Sequence, residues 1–182
     1  MKKISSAVIC LTILLMSLCL AAVGTSSKGT APKFTSLYTD LSKQCRDALP
    51  SVGEGQDMPL KCKGYGGYQI SIGYSAASSH LAIVTASDEQ VVSIGPQPLS
   101  YYDNKKVEWR MADGKPFAVI IRVSIYKDTG TMDMDTYSDK NKTGESLLVR
   151  GLKGYEYVDG AVDARQPDAN VKARQLADSQ YK

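Results

Sequence analysis

The stretch Leu60–Tyr74, LKCKGYGGYQISIGY, decides how the rest of the chain is read. Its glycines suggest a phosphate cradle, while the alternation behind them suggests a strand. A dinucleotide fingerprint needs glycine at its first, third and sixth positions, after a strand and at the opening of a helix. Here Gly64, Gly66 and Gly67 come before a segment of period two, Gln69 holds the sixth place, and no Lys followed by Ser or Thr completes a Walker loop. The glycines therefore read as a tight turn leading from Cys62 into a half-buried strand. Tyr68, Ile70, Ile72 and Tyr74 fall on one face of that strand and Gln69, Ser71, Gly73 and Ser75 on the other.

Downstream, the same pattern recurs in HLAIVTA, QVVSI, VEWRM and PFAVIIRVSIY, each bounded by Gly, Pro, Asp, Asn or Ser. Short strands at this spacing predict antiparallel sheets. Phe117, Val119, Ile121, Val123 and Ile125 alternate with Ala118, Ile120, Arg122 and Ser124, so one face is wholly apolar and the other turns polar toward its end. That makes PFAVIIRVSIY the expected central strand. TMDMDTY and ESLLVRGL read as a further pair across the turn SDKNKTG. A helix is expected at about 168–180, with Pro167 and Asp168 suiting its first turn and Ala169, Ala173, Leu176 and Ala177 on one side.

Upstream, FTSLYTDLSKQCRDAL fits either a helix or an extended segment, and PSVGEGQDMP reads as a surface loop. The N-terminus has Lys2 and Lys3 before the uncharged run AVICLTILLMSLCLAAV, Ala7–Val23, followed by small polar residues. This is the order of a secretory signal, shorter than a membrane span and with no positive flank close behind it. The expected organisation is a signal peptide at 1–24, a flexible leader at 25–33 and a single β-rich domain at 34–182. No integral membrane span is expected after cleavage.

Removing the signal takes away Cys10 and Cys19 and leaves Cys45 and Cys62, an even pair that predicts one disulfide outside the cytoplasm. It also removes two of the 22 basic residues and none of the 19 acids, lowering the formal charge from +3 to +1. Such a near-neutral body has no electrostatic footprint for nucleic acid.

The remaining motifs carry little chemistry. Asp128-Thr129-Gly130 spells the DTG of aspartic proteases, but it occurs once, follows Lys127 and looks like a turn. Asp139, Asn141, Thr143 and Gly144 resemble the start of a calcium loop whose twelfth position is Arg150 instead of glutamate. Asn141-Lys142-Thr143 matches a glycosylation acceptor, informative only in a host that glycosylates. His80 stands beside Ser78 and Ser79 without a GxSxG elbow, so a surface or strand-edge histidine is the default. Bridged cysteines leave no thiol nucleophile, and zinc would lack its Cys and His clusters. No catalytic residue, metal ligand or cofactor is therefore expected. The unusual feature is tyrosine, 11 residues against two Phe and one Trp. Tyr65, Tyr68, Tyr101 and Tyr102 are the expected binding residues, because an amphipathic ring at a strand end or turn suits a recognition face.

Four landmarks, YTDL before Cys45, CKGYGGYQISIGY, VEWRMADGKPFAVIIRV and VDARQPDANVKARQLAD, resemble a group of small exported proteobacterial proteins. That group has a Cys-Pro-Gly-like turn opening a strand, an EWR strand and a C-terminal helix rich in Asn, Ala and Arg. The likeness spans nearly the whole exported part. This chain departs from it at Lys63, where proline is common, and at Gln166-Pro167-Asp168, where Asn-Pro is usual. It also lacks a further cysteine in GLKGYEYV, Gly151–Val158. The resemblance implies export by a Gram-negative bacterium and a shared fold, and it supplies no catalytic residue.

The expected fold is mainly β, an antiparallel sandwich or open barrel with a C-terminal helix. The expected function is that of a non-catalytic periplasmic or secreted binding module, enzyme inhibition being one form of it, with an unknown protein or glycan of the cell envelope or host as partner. Two competing readings are a small-ligand carrier and a hydrolase using carboxylates such as Asp133 and Asp135.

Overall fold

The computed structural model describes residues 30–45, 59–130 and 134–182. Pro32–Lys182 form one compact unit. The expected signal peptide, most of the leader and the loop between the cysteines lie outside the described residues. Lys33, at the leader's end, donates its backbone N–H to Asp113 at 2.9 Å.

The described elements are β1 (Phe34–Asp40), the one-turn α1 (Leu41–Gln44), β2 (Leu60–Lys63), β3 (Tyr68–Tyr74), β4 (Ser79–Thr85), β5 (Gln90–Gln97), β6 (Lys106–Ala112), β7 (Lys115–Tyr126), β8 (Lys142–Gly151), β9 (Asp159–Asp163) and α2 (Ala169–Gln180). Five strands pair in the order β1-β6-β7-β8-β9 and four in the order β2-β3-β4-β5. All seven pairings are antiparallel. Neither sheet closes on itself, so the architecture is the sandwich and not the barrel, with β7 central as its alternation predicts. No helix among the described residues is long and apolar enough to cross a membrane.

Local chemistry explains the connections. Asp113 and Gly114 both take positive φ, 49° and 80°, as a two-residue hairpin between β6 and β7 requires. A bulge pairs Arg110 with Ala118 and Met111 with Pro116, which leaves Phe117 as the extra residue. Phe117 consequently joins the helix side of the sheet, while Val119, Ile121 and Val123 face the four-stranded sheet. The unbroken alternation expected for β7 is thus corrected at its first residue. Ile125, at its far end, is exposed. The strand expected in TMDMDTY is also corrected, since Met134–Tyr137 is a 3₁₀ turn. Ser138 and Asn141 donate from their side chains to the Asp135 carbonyl, satisfying the backbone locally in place of a ladder.

The space between the sheets is filled by side chains such as Ile70, Ile72, Leu81, Val119 and Ile121 around Trp109, which is fully buried. The indole Nε1 donates to Thr39 Oγ1 at 3.0 Å, and that hydroxyl donates to the Lys63 carbonyl at 3.1 Å. This relay joins β6, β1 and β2, and so the two sheets. It also answers the question raised by the glycines. A Cβ on Gly64 would lie 2.8 Å from the Trp109 ring and 2.5 Å from the Tyr68 carbonyl, and one on Gly66, at φ 63°, would lie 2.4 Å from Pro116. The glycine turn is a close-packed lid over tryptophan. Cys45 and Cys62 are bonded, tying the end of α1 to β2, an edge strand.

On its other face the five-stranded sheet carries α2. Ala169, Ala173 and Ala177 are buried against Ala118, Ile120 and Val149, small residues that bring helix and sheet close. Pro167 lies in the turn before the helix, and Asp168 is its N-cap in the left-handed region, with no capping bond from its side chain.

Candidate functional site

Beyond Ile120 the helix-side face of the sheet changes character. The next two β7 residues on it are Arg122 and Ser124, paired in register with Leu147 and Glu145 of β8. A 3₁₀ turn at Tyr101–Asn104 and the first residues of α2 flank this region, and together they leave a groove in two halves. One half, of about 330 Å³, has Ile120 and Leu147 beneath it and Tyr38, Glu108 and Asn170 at its sides. The other, of about 350 Å³, lies between Tyr101, Tyr126, Ser124 and Glu145. Asn104 and Lys105 belong to both.

Its charges are largely answered internally. Glu145 accepts from Lys142 at 2.7 Å and from Arg122 at 3.2 Å, and these bonds, that of Lys142 first, hold its carboxyl below the usual carboxylate range despite some burial. The same bond raises Lys142. Glu108, nearly buried, accepts from Ser36 at 2.5 Å and from Arg174 of α2 at 2.6 Å, and the pairing raises Arg174. Arg110 holds Asp178 through two bonds of 2.7 and 2.6 Å. The Tyr101 phenol, pushed up to about 12 by burial, donates to the Arg122 carbonyl at 3.0 Å. The Lys105 ammonium sits 4.5 Å from the Tyr101 ring centroid, and no carboxylate among the described residues is paired with it.

The four expected binding tyrosines do not share one face. Tyr65 and Tyr68 are half-buried on Trp109, with ring centroids 5.9 and 6.3 Å from the indole, and Tyr65 donates to the Tyr38 carbonyl at 3.2 Å. Tyr68 also borders a depression of about 510 Å³ beside Lys61, Lys63 and Gln69. Tyr101 belongs to the groove. Tyr102 requires correction: at 2% exposure it is a core side chain, packed edge-on against Tyr101 at 5.3 Å. Burial raises its phenol, whose oxygen has no hydrogen-bond partner among the described residues.

Other motifs settle into turns. Asp128 accepts from the Gly130 N–H at 2.9 Å, closing its own turn. Asn141 Nδ2 and Thr143 Oγ1 donate to the Asp135 and Ile125 carbonyls at 2.8 and 3.1 Å, bonds that close the turn locally. Ser78 and His80 are two apart and share a side, with Oγ and Nε2 3.1 Å apart, but Ser78 is buried and also bonded to Ser75 in the β3–β4 turn. Asp135 is exposed beside Lys140 at 3.4 Å, and Asp133 lies outside the described residues. Among the described residues no three His, Cys, Asp or Glu side chains gather as a metal site.

Asn104, Lys105, Glu145 and Asn170 were not singled out from the sequence. The one signal for the groove there was the polar end of β7 at Arg122 and Ser124. The fold class is thus an antiparallel β-sandwich backed by a C-terminal helix. No protein-family model, no curated protein and no solved structure matches the chain.

Proposed function

We propose that the protein is a non-catalytic binding module of the periplasm or the secreted fraction, and that it meets a macromolecule of the envelope or host along the groove centred on Asn104 and Lys105. Export rests on the N-terminal signal pattern, on the resemblance to small exported proteobacterial proteins, and on the Cys45–Cys62 bond, which an oxidising compartment favours.

The observation that carries the reading is Glu145. A catalytic acid at neutral pH needs a raised pKa, whereas Lys142 and Arg122 lower this one and keep it ionised. Glu145 thereby serves as an ion-pair partner in the groove wall and not as a general acid at neutral pH. A carrier would instead use the interior, which the side chains around Trp109 fill.

The test is a pull-down from envelope extract with the oxidised exported protein and its Asn104→Ala/Lys105→Glu variant, folding being checked by circular dichroism. Loss of the partner from the folded variant is the expected result, and equal capture would refute the groove. Tyr68→Ala, in parallel, examines the depression beside Lys61 and Lys63 as a second contact surface.

A further inference from the structure

We infer that the groove's ligand is a carboxylate-bearing glycan whose acid group is read by Lys105; the inference rests on the binding role proposed above. Three observations lead there.

The first is charge. Arg122 and Lys142 share Glu145, Asp139 lines the same half and acts on Lys142, and Glu108 neutralises Arg174. Lys106 approaches Asp40 at 3.9 Å. Lys105 remains at the junction of the two halves over the face of Tyr101, with no carboxylate paired to it among the described residues. A cation left in that state asks its ligand for one anion at that point.

The second is the kind of hydrogen-bonding surface. The groove runs across the face of the sheet, where the main chains of β6, β7 and β8 are committed to one another. A peptide added as a strand binds at a sheet edge, through free main-chain groups that this face does not offer. What it offers are the side-chain amides of Asn104 and Asn170, each able both to donate and to accept, as paired sugar hydroxyls require.

The third is shape. Tyr38, partly exposed, sets a ring along one half, against which the C–H face of a sugar can lie, and each half is large enough for a small ligand.

The test is calorimetric titration of the oxidised exported protein with oligogalacturonate, with the uncharged galactose oligomer of equal length and with poly-glutamate. Oligogalacturonate should bind, more weakly as salt rises, and Lys105→Gln should weaken it about tenfold or more while Lys105→Arg largely restores it. Equal binding of the neutral oligomer, equal Lys105-dependent binding of poly-glutamate, or no binding of oligogalacturonate overturns the inference. If oligogalacturonate fails while the groove variant still loses an envelope partner in the pull-down, the glycan falls and the binding module stands. If both experiments fail, both readings fall.

Discussion

The two faces of the five-stranded sheet are held to their neighbours by different physics. Toward the four-stranded sheet the contact is made by large apolar side chains around Trp109, with one short polar relay through Thr39. Toward α2 it is made by alanines, and the fastening comes from Arg110 with Asp178 and Arg174 with Glu108. Only the helix end near Tyr181 carries a bulky cluster, in which that ring meets Phe34, Phe117 and Tyr155 at 4.9 to 5.5 Å. Apolar burial scales with area and is indifferent to charge, whereas ion pairs depend on partners, salt and pH. The lesson is that one sheet can have a face that defines the fold and another that defines a surface feature, here the groove beside the helix.

The sharpest way to break this contrast is Trp109→Ala. It should destabilise the protein by ~3–5 kcal/mol in denaturant unfolding, through lost transfer energy and an unfilled cavity under the glycine turn. A loss no greater than that of a surface substitution would mean that the inter-sheet core does not dominate.

Arg110→Ala comes next. It leaves Asp178 without its guanidinium and should cost about 2–3 kcal/mol, below the figure for a fully buried pair because Asp178 is partly exposed. Hydrogen exchange should locate the damage: α2 amides lose protection, while those of β3 and β4 keep theirs. Uniform loss across both sheets would join the two faces into one cooperative unit.

Acid should act on the same side of the molecule. Glu145 has a folded pKa below its ordinary value of 4.5, held down first by Lys142 and then by Arg122. Its contribution is therefore present above the unfolded value and is lost as pH falls through the folded one. Unfolding midpoints measured from about pH 6 down to about pH 3 should fall less steeply for Glu145→Gln than for the wild type. An identical slope would show that this ion pair contributes nothing to the fold.

The smallest effect has the opposite sign and belongs to the inter-sheet core. Tyr102 buries a phenol oxygen that has no partner among the described residues. Tyr102→Phe removes the unsatisfied group and keeps the ring, so a gain of about 1 kcal/mol is expected from thermal or denaturant unfolding. A loss of similar size would mean that a buried water answers the hydroxyl.

How far the sequence reached is visible in particular residues. Tyr68–Tyr74 was legible as a strand because its alternation is local, and the glycines before it were legible as a turn for want of a following helix. Cys45 and Cys62 could be paired because the expected export leaves them no other cysteine. Two strands were missed: β2 is only four residues long and β9 is polar at both ends, so neither has a hydrophobic period to read. The groove was nearly invisible, since Asn104, Lys105, Glu145 and Asn170 are ordinary polar residues until pairing sets them side by side. Tyr102 was misjudged because tyrosine suits a rim and a core equally well, and its neighbours in sequence do not reveal which it occupies.

By itself the chain determined the class of the fold, the position of most strands and the terminal helix, all of which follow from spacing along a backbone of fixed geometry. Only the tertiary structure decided that Phe117 turns to the helix side, that Gly64 must admit an indole, and that a polar groove lies at the end of β7. Those outcomes depend on which strand lies beside which and on the bulge that sets their register, and long-range pairing leaves no periodic mark in the residues it joins.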